Sequence, residues 1–203
     1  MPPMLIGKGK TSKSLFGYNT KEASEGTIWS FQDRAWMNNS IWEQWFGEVF
    51  LANCGADRPQ LLLLDGHGSH ETLGLLKMAE EENIHIMALP PHTTHYLQPL
   101  DRTVFAPFNK AYNLACSDFM SADPCNMGNK WTFPGLFKVA WEKGVSRENV
   151  VSGFKSCWIY PLDISAIPEC AYEPSTVTDK PAVPKPAAQP EFETSVYNDA
   201  NKV

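Results

Sequence analysis

Leu61-Leu62-Leu63-Leu64-Asp65-Gly66-His67-Gly68-Ser69-His70 changes character in one step, from four consecutive leucines to a polar, glycine-containing turn headed by an acid. A short continuous apolar run bounded by Asp-Gly predicts a fully buried strand that ends at Asp65. Outward from it, residues 70–82 predict a helix closing on Glu80-Glu81-Glu82, and Ile84-His85-Ile86-Met87-Ala88-Leu89 predicts a second strand. Strand, helix and strand with short links make a parallel crossover, so the fold class is α/β.

Beyond the second strand, Pro90-Pro91-His92-Thr93-Thr94-His95-Tyr96-Leu97-Gln98-Pro99 is predicted to be neither helix nor central strand, because three prolines remove donors and restrict their neighbours. A helix resumes at Asp101 with Val104, Phe105, Phe108, Ala111, Tyr112 and Ala115 on one face, Pro107 being tolerated only near the first turn. Residues 117–130 predict a polar connection. Two shorter helices follow, one from near Thr132 with Leu136, Phe137, Ala140 and Trp141, the other capped by Ser146 with Val150, Val151, Phe154 and Trp158.

Upstream, Pro2-Pro3-Met4-Leu5-Ile6-Gly7 predicts an edge strand, and residues 11–37 a polar connection with interspersed aromatics. Ser40-Ile41-Trp42-Glu43 has the form of a capping box. Past it, Ile41, Trp42, Trp45, Phe46, Val49 and Phe50 form one wide apolar stripe of a helix, which reads as core. Residues 166–203 hold six prolines and little periodic apolar pattern, and predict a disordered tail after a body spanning 1–165.

The totals exclude several classes. No run approaches the roughly 18 to 20 consecutive apolar residues of a membrane span, and Met1 to Lys10 lacks a secretory h-region, so the expectation is a protein that stays inside the cell. Cys54, Cys116, Cys125, Cys157 and Cys170 are odd in number and contain no C-x-x-C pair, which argues for free thiols. The formal charge is −6, with 14 basic against 17 acidic residues in 1–165, so DNA affinity would have to come from another domain or a local patch. Gly9-Lys10-Thr11 is not a P-loop, since Met4 stands where that motif needs glycine, and Gly66-His67-Gly68-Ser69-His70 does not fit a nucleophile elbow.

Asp65, at the carboxyl end of a buried strand, and Asp101, after a stiff proline loop, are the candidate catalytic and metal-binding residues. Open α/β sheets place their sites at that edge. Paired aspartates suit Mg²⁺ (or Mn²⁺) because it prefers hard oxygen ligands, and two ions can stabilise the attacking and leaving oxygens of an in-line displacement. The plainer readings are a side-chain-stabilised turn at Asp65-Gly66 and a helix N-cap at Asp101. His67 and His70, and His92 and His95, form two H-x-x-H pairs that leave a histidine metalloprotein as a further alternative.

The string Leu61 to His70, followed by Leu89-Pro90-Pro91-His92-Thr93-Thr94-His95-Tyr96-Leu97-Gln98-Pro99-Leu100-Asp101, resembles the DDE superfamily endonuclease domain of pogo, Tigger and jerky-like transposases. The resemblance extends from Pro2 to about residue 165, through Trp36-Met37, Trp45-Phe46, Gly153-Phe154-Lys155 and Ile159-Tyr160-Pro161. It implies an RNase H-like fold in which three acids hold two divalent ions for DNA strand cleavage and transfer. Asp65 then corresponds to the second acid and Asp101 to the third. The first acid would lie upstream of Pro2, on strands that an amino-terminally truncated chain lacks, and Asp33 lies in the wrong segment to replace it. His67, His70, His95 and Gln98 would orient the acids or face DNA.

The resemblance further implies transposon-end DNA and a homo-oligomer as partners, no membrane, and a nuclear location. Cleavage is expected to be impaired in this chain, and the alternative is a domesticated, non-catalytic DNA-associated or protein-interaction module. One departure from the pattern is Trp158, where relatives commonly carry glycine before Ile-Tyr-Pro.

Overall fold

The computed structural model describes residues 1–65, 72–90 and 93–166, and at His95 the backbone. The predicted tail from residue 167 onward lies outside the described residues. Among the described residues four strands and six α-helices form, in order, β1 (Met4–Lys8), β2 (Ile28–Gln32), α1 (Asn39–Trp45), β3 (Gln60–Leu64), α2 (Leu73–Glu81), β4 (Ile84–Ala88), α3 (Thr94–Leu97), α4 (Phe105–Ala122), α5 (Phe133–Gly144) and α6 (Arg147–Ser156). The α/β class is as expected. Among the described residues the strands make two separate parallel pairs, β1 with β2 and β3 with β4.

β2 corrects the reading of residues 11–37 as an irregular connection. Ile28-Trp29-Ser30-Phe31-Gln32 is rich in β-branched and aromatic residues and bounded by Gly26 and Asp33, a strand signal masked by the polar sequence around it. Its register with β1 runs from Met4 opposite Ile28 to Lys8 opposite Gln32. Pro2 and Pro3 stay outside the ladder as donors, yet the Pro3 carbonyl accepts from the Ile28 N–H at 3.0 Å. Between the two strands, a 3₁₀ segment at Ser12–Gly17 folds back over β1, and Gly7 is so close to it that an added Cβ would lie 2.6 Å from Leu15 Cδ2.

The apolar stripe after residue 40 is the core, as the spacing predicts. Ile41, Trp42, Phe46, Val49 and Phe50 are all buried. The cap is Asn38 rather than Ser40: the Asn38 side chain accepts from the Ile41 N–H at 2.9 Å, so the helix starts before the supposed capping box. From Phe46 to Leu51 the helix widens into a π-helical segment. Trp42, Phe46 and Phe50 pack with Leu64 of β3, Leu75 and Ala79 of α2, and Ile84 of β4.

That cluster covers one face of the β3–β4 pair only. Leu62, Leu64, Ile84 and Ile86 face it, whereas Leu61 and Met87, on the alternate positions, are 52% and 55% exposed. β3 is therefore half-covered and not fully buried as its continuous leucines suggested, because periodicity cannot reveal whether a second layer is present. The parallel crossover is found, with Leu64 opposite Ala88. α2 starts at Leu73, later than predicted, and its end is marked by Asn83 at φ 52°, a left-handed position that asparagine tolerates.

Two further boundaries differ from expectation. A single helical turn, Thr94–Leu97, interrupts the proline loop, since no proline falls between residues 93 and 98 to prevent it. α4 runs to Ala122 instead of stopping near residue 116; it ends where Pro124 disfavours a helical Asp123. Pro107 lies in the first turn of α4, as required. α5 begins after Thr132 and α6 is capped by Ser146, which accepts from the Asn149 N–H at 3.2 Å, both as predicted. Cys54, Cys116, Cys125 and Cys157 are free thiols, and burial pushes the Cys157 thiol up despite the nearby Arg102.

Trp158 explains its own oddity. It follows the α6 C-cap at φ 54°, and the Ile159 N–H reaches back to the Phe154 carbonyl at 3.2 Å, a Schellman-type ending that favours glycine. The departure thus bears on backbone conformation more than on packing. Trp158→Gly should be more stable than Trp158→Val by about 1–2 kcal/mol, since both lose the indole but only valine keeps the left-handed penalty. Urea denaturation of the two variants measures the difference; equal stabilities would mean the turn relaxes.

Candidate functional site

Asp65 is the first residue past β3, and its place is set by backbone pairing. The Leu89 N–H donates to the Leu64 carbonyl at 2.8 Å, extending the β3–β4 ladder to the residue before the acid. Asp65 is half-buried. Its neighbours His67 and His70 lie outside the described residues, as does His92.

The start of α2 is anchored by a contact the sequence did not announce. Thr72 caps α2, accepting from the Leu75 N–H at 3.1 Å, and its hydroxyl donates to Glu43 Oε1 of α1 at 2.5 Å. Gly74 makes room for the same carboxylate, because an added Cβ there would meet Glu43 Oε1 at 2.4 Å. Glu43 does not close a capping box, since the cap is Asn38. It instead ties the start of α2 to α1, and so fixes where the chain re-enters the fold after Asp65.

Asp101 is reached from the end of β4 through the proline loop. Buried Thr93 pins the loop by donating to the Pro90 carbonyl at 2.7 Å, and its own carbonyl accepts from the Tyr96 and Leu97 N–H groups. His95 lies in the turn that follows, and half-buried Gln98 caps it, its carbonyl accepting from the Arg102 N–H at 3.2 Å. Asp101 is exposed and is the second residue of a π-helical turn, Leu100–Val104, that runs directly into α4. It is not the N-cap, which is Pro99. A carboxylate in the first turn is favoured by the helix dipole.

α6 holds that turn in place. The Thr103 hydroxyl donates to the Asn149 carbonyl at 2.6 Å, and the Asn149 side chain donates to the Gly144 carbonyl at 2.8 Å. Gly153 allows the two helical segments to touch: a Cβ there would lie 2.8 Å from both the Pro99 carbonyl oxygen and Thr103 Oγ1. Thr103, Asn149 and Gly153 are positioning residues that sequence reasoning missed, since their partners are some fifty positions distant.

Chemically, both acids follow the carboxyl ends of one parallel strand pair and offer hard oxygen donors. Asp33, by contrast, follows β2 in the other pair and is exposed. Among the described residues no group of three or more His, Cys, Asp or Glu side chains could hold a metal ion. In general a Mg²⁺ ion is held by one or two carboxylates and several waters, and a two-ion site needs more acidic ligands than that.

A family model for the DDE superfamily endonuclease matches residues 1–154. The chain is 31% identical over 134 residues to the Homo sapiens "Pogo transposable element with KRAB domain" and to its Mus musculus counterpart, covering 61% of this chain and 22% of each relative. It is also 31% identical over 132 residues to the "MFS-type transporter clz9" of Cochliobolus lunatus, a match that covers 64% of this chain and 14% of that protein. The chain thus spans less than a quarter of the length of these curated relatives. Among the described residues no helix is long and apolar enough to cross a membrane. No solved structure matches.

Proposed function

This chain belongs to the DDE superfamily endonuclease family, and from that premise we propose that it is a transposase-derived nuclease domain acting on DNA through Asp65 and Asp101. The two parallel strand pairs are read as parts of an RNase H-like sheet, with 1–165 as the nuclease body and 166–203 as a Pro-rich tail. The observation that carries the reading is the position of Asp65, one residue beyond β3, at the end of the pair from which the chain goes on to Asp101. A bound Mg²⁺ or Mn²⁺ would supply charge neutralisation at a scissile phosphate and activation of the attacking water.

The chain's own residues do the positioning. Asp65 and Asp101 would hold the ion by their carboxylates. Thr72 with Glu43, and Thr103 with Asn149 and Gly153, keep the two carrier segments from drifting. His67, His70, His95 and Gln98 are assigned to DNA phosphates or to orienting the acids. DNA as substrate makes the nucleus the expected location.

Titration of the purified chain with Mn²⁺, read by the loss of the free-ion EPR signal, tests the acids directly. One ion should bind, and Asp65→Asn and Asp101→Asn should each weaken it by at least about tenfold, one lost carboxylate contact being worth upward of ~1.4 kcal/mol. Unchanged affinity in both variants defeats the assignment and leaves the non-catalytic interaction module as the better reading.

A further inference from the structure

A second site lies away from the acids, between β1, β2, α4 and α5. A cavity of about 440 Å³ opens there, within the range of roughly 300–1,000 Å³ usual for small-molecule clefts. Its walls are Tyr18, Trp29, Tyr112 and Phe133, with Asn129 and Lys130 among its lining residues. The rings form a connected set: Tyr18 to Trp29 at 5.3 Å, Tyr18 to Phe133 at 6.4 Å, and Tyr112 to Phe133 at 6.3 Å between centroids. All four are half-buried, so none is wholly consumed by the core.

The charged residue lining the cavity is a cation, Lys130. Residues 1–21 carry Lys8, Lys10, Lys13 and Lys21, followed by Glu22, which lies against Gly135 of α5, and residues 124–141 carry Lys130 and Lys138. The two segments meet at the pocket. The Lys130 ammonium sits 5.7 Å from the centre of the Tyr18 ring, and Gly17 lies against the Lys130 side chain, where an added Cβ would be 3.8 Å from Cδ. Phe16 and Trp131, the neighbours of Gly17 and Lys130, are strongly exposed at 80% and 56%.

Aromatic faces next to lysines favour one kind of ligand. A cationic guest would be repelled by Lys130, and a purely apolar one would leave Lys130 unused. A nucleobase stacks on the rings while its phosphates meet the ammonium groups, which is how single strands are held with little regard to sequence. Burial, with Cys116 next to it, raises the Tyr112 hydroxyl above its ordinary range and keeps it a donor for a base edge. We propose that this aromatic pocket, with Lys130 at its mouth, binds an unpaired DNA nucleotide. The proposal rests on the reading of the chain as a DNA-acting domain. α4 links the two sites, since Asp101 precedes its first turn and Tyr112 follows roughly 16 Å along the axis.

Fluorescence anisotropy of a fluorescein-labelled oligothymidylate of about a dozen nucleotides, matched to the length of strand such sites span, provides the test. Working in EDTA keeps the result independent of any metal at Asp65 and Asp101. The single strand should bind at least about tenfold tighter than a duplex of equal length, as stacking requires. Tyr18→Leu and Lys130→Glu should each weaken it by about tenfold, while Lys77→Glu on α2 should change it less than about twofold. Equal affinity for single strand and duplex overturns the proposal, as does indifference to Lys130→Glu or tighter binding of the matching RNA strand.

Discussion

Replacing Phe46 by alanine should lower the unfolding free energy by about 3–5 kcal/mol, the usual cost of deleting a fully buried aromatic ring. Phe46 has no exposed surface and lies where α1 passes into the π-helical segment, with Phe50 stacked at 5.4 Å and 21°. The core cluster it belongs to also takes Leu64, Leu75 and Ile84 from three different elements, so no single helix can shift to refill the space. For a chain of this size each kcal/mol moves the melting temperature by about 2–4 °C, which makes the loss visible by circular dichroism on heating. Leu73→Ala, at a 69% exposed position on α2, should stay within about 0.5 kcal/mol. A change below about 1 kcal/mol at Phe46 would mean that this core is not packed as described. Because Phe46 packs in one cluster with Leu64, the residue before Asp65, the same variant should also loosen the candidate acid.

The parts of the fold that local pattern can encode were legible. Four leucines closed by Asp-Gly, a helix run, and Ile84 to Leu89 define β3, α2 and β4, and Ser146 and Thr132 mark the starts of α6 and α5. What was not legible depends on partners distant in sequence. β2 was hidden because its short run of β-branched and aromatic residues lies in a long polar stretch, and its pairing with β1 across the ladder is what reveals the strand. The exposure of Leu61 depends on how many layers cover β3, which four leucines cannot say. At the candidate site, Asp65 and Asp101 stood out by their surroundings, whereas Glu43, Thr103 and Gly153 did not. Glycine at 153 looks like a weak spot in a helix until the Pro99 carbonyl is found beneath it. The aromatic pocket was invisible for the same reason: its four rings come from four separate segments.

Gly144→Ala should cost about 1–3 kcal/mol, the range of overpacking in a tight interior. Helix propensity alone argues the reverse, since alanine is favoured over glycine by about 1 kcal/mol within a helix. Steric contact decides between them. A Cβ at residue 144 would lie 2.4 Å from Phe108 Cα and 2.7 Å from its backbone nitrogen, and backbone cannot rotate aside as a side chain can. α4 and α5 would have to separate, opening the ring contacts between Phe108 and Phe137 at 5.4 Å and between Tyr112 and Phe133 at 6.3 Å. Urea denaturation reads the stability, and an increase would show that α5 has slack against α4. The same separation would widen the aromatic pocket, which takes Tyr112 from α4 and Phe133 from α5, and would disturb the Asn149 bond to the Gly144 carbonyl that helps hold the Asp101 turn. One added methyl group at this helix crossing therefore reaches both sites, because α4 is the element they share.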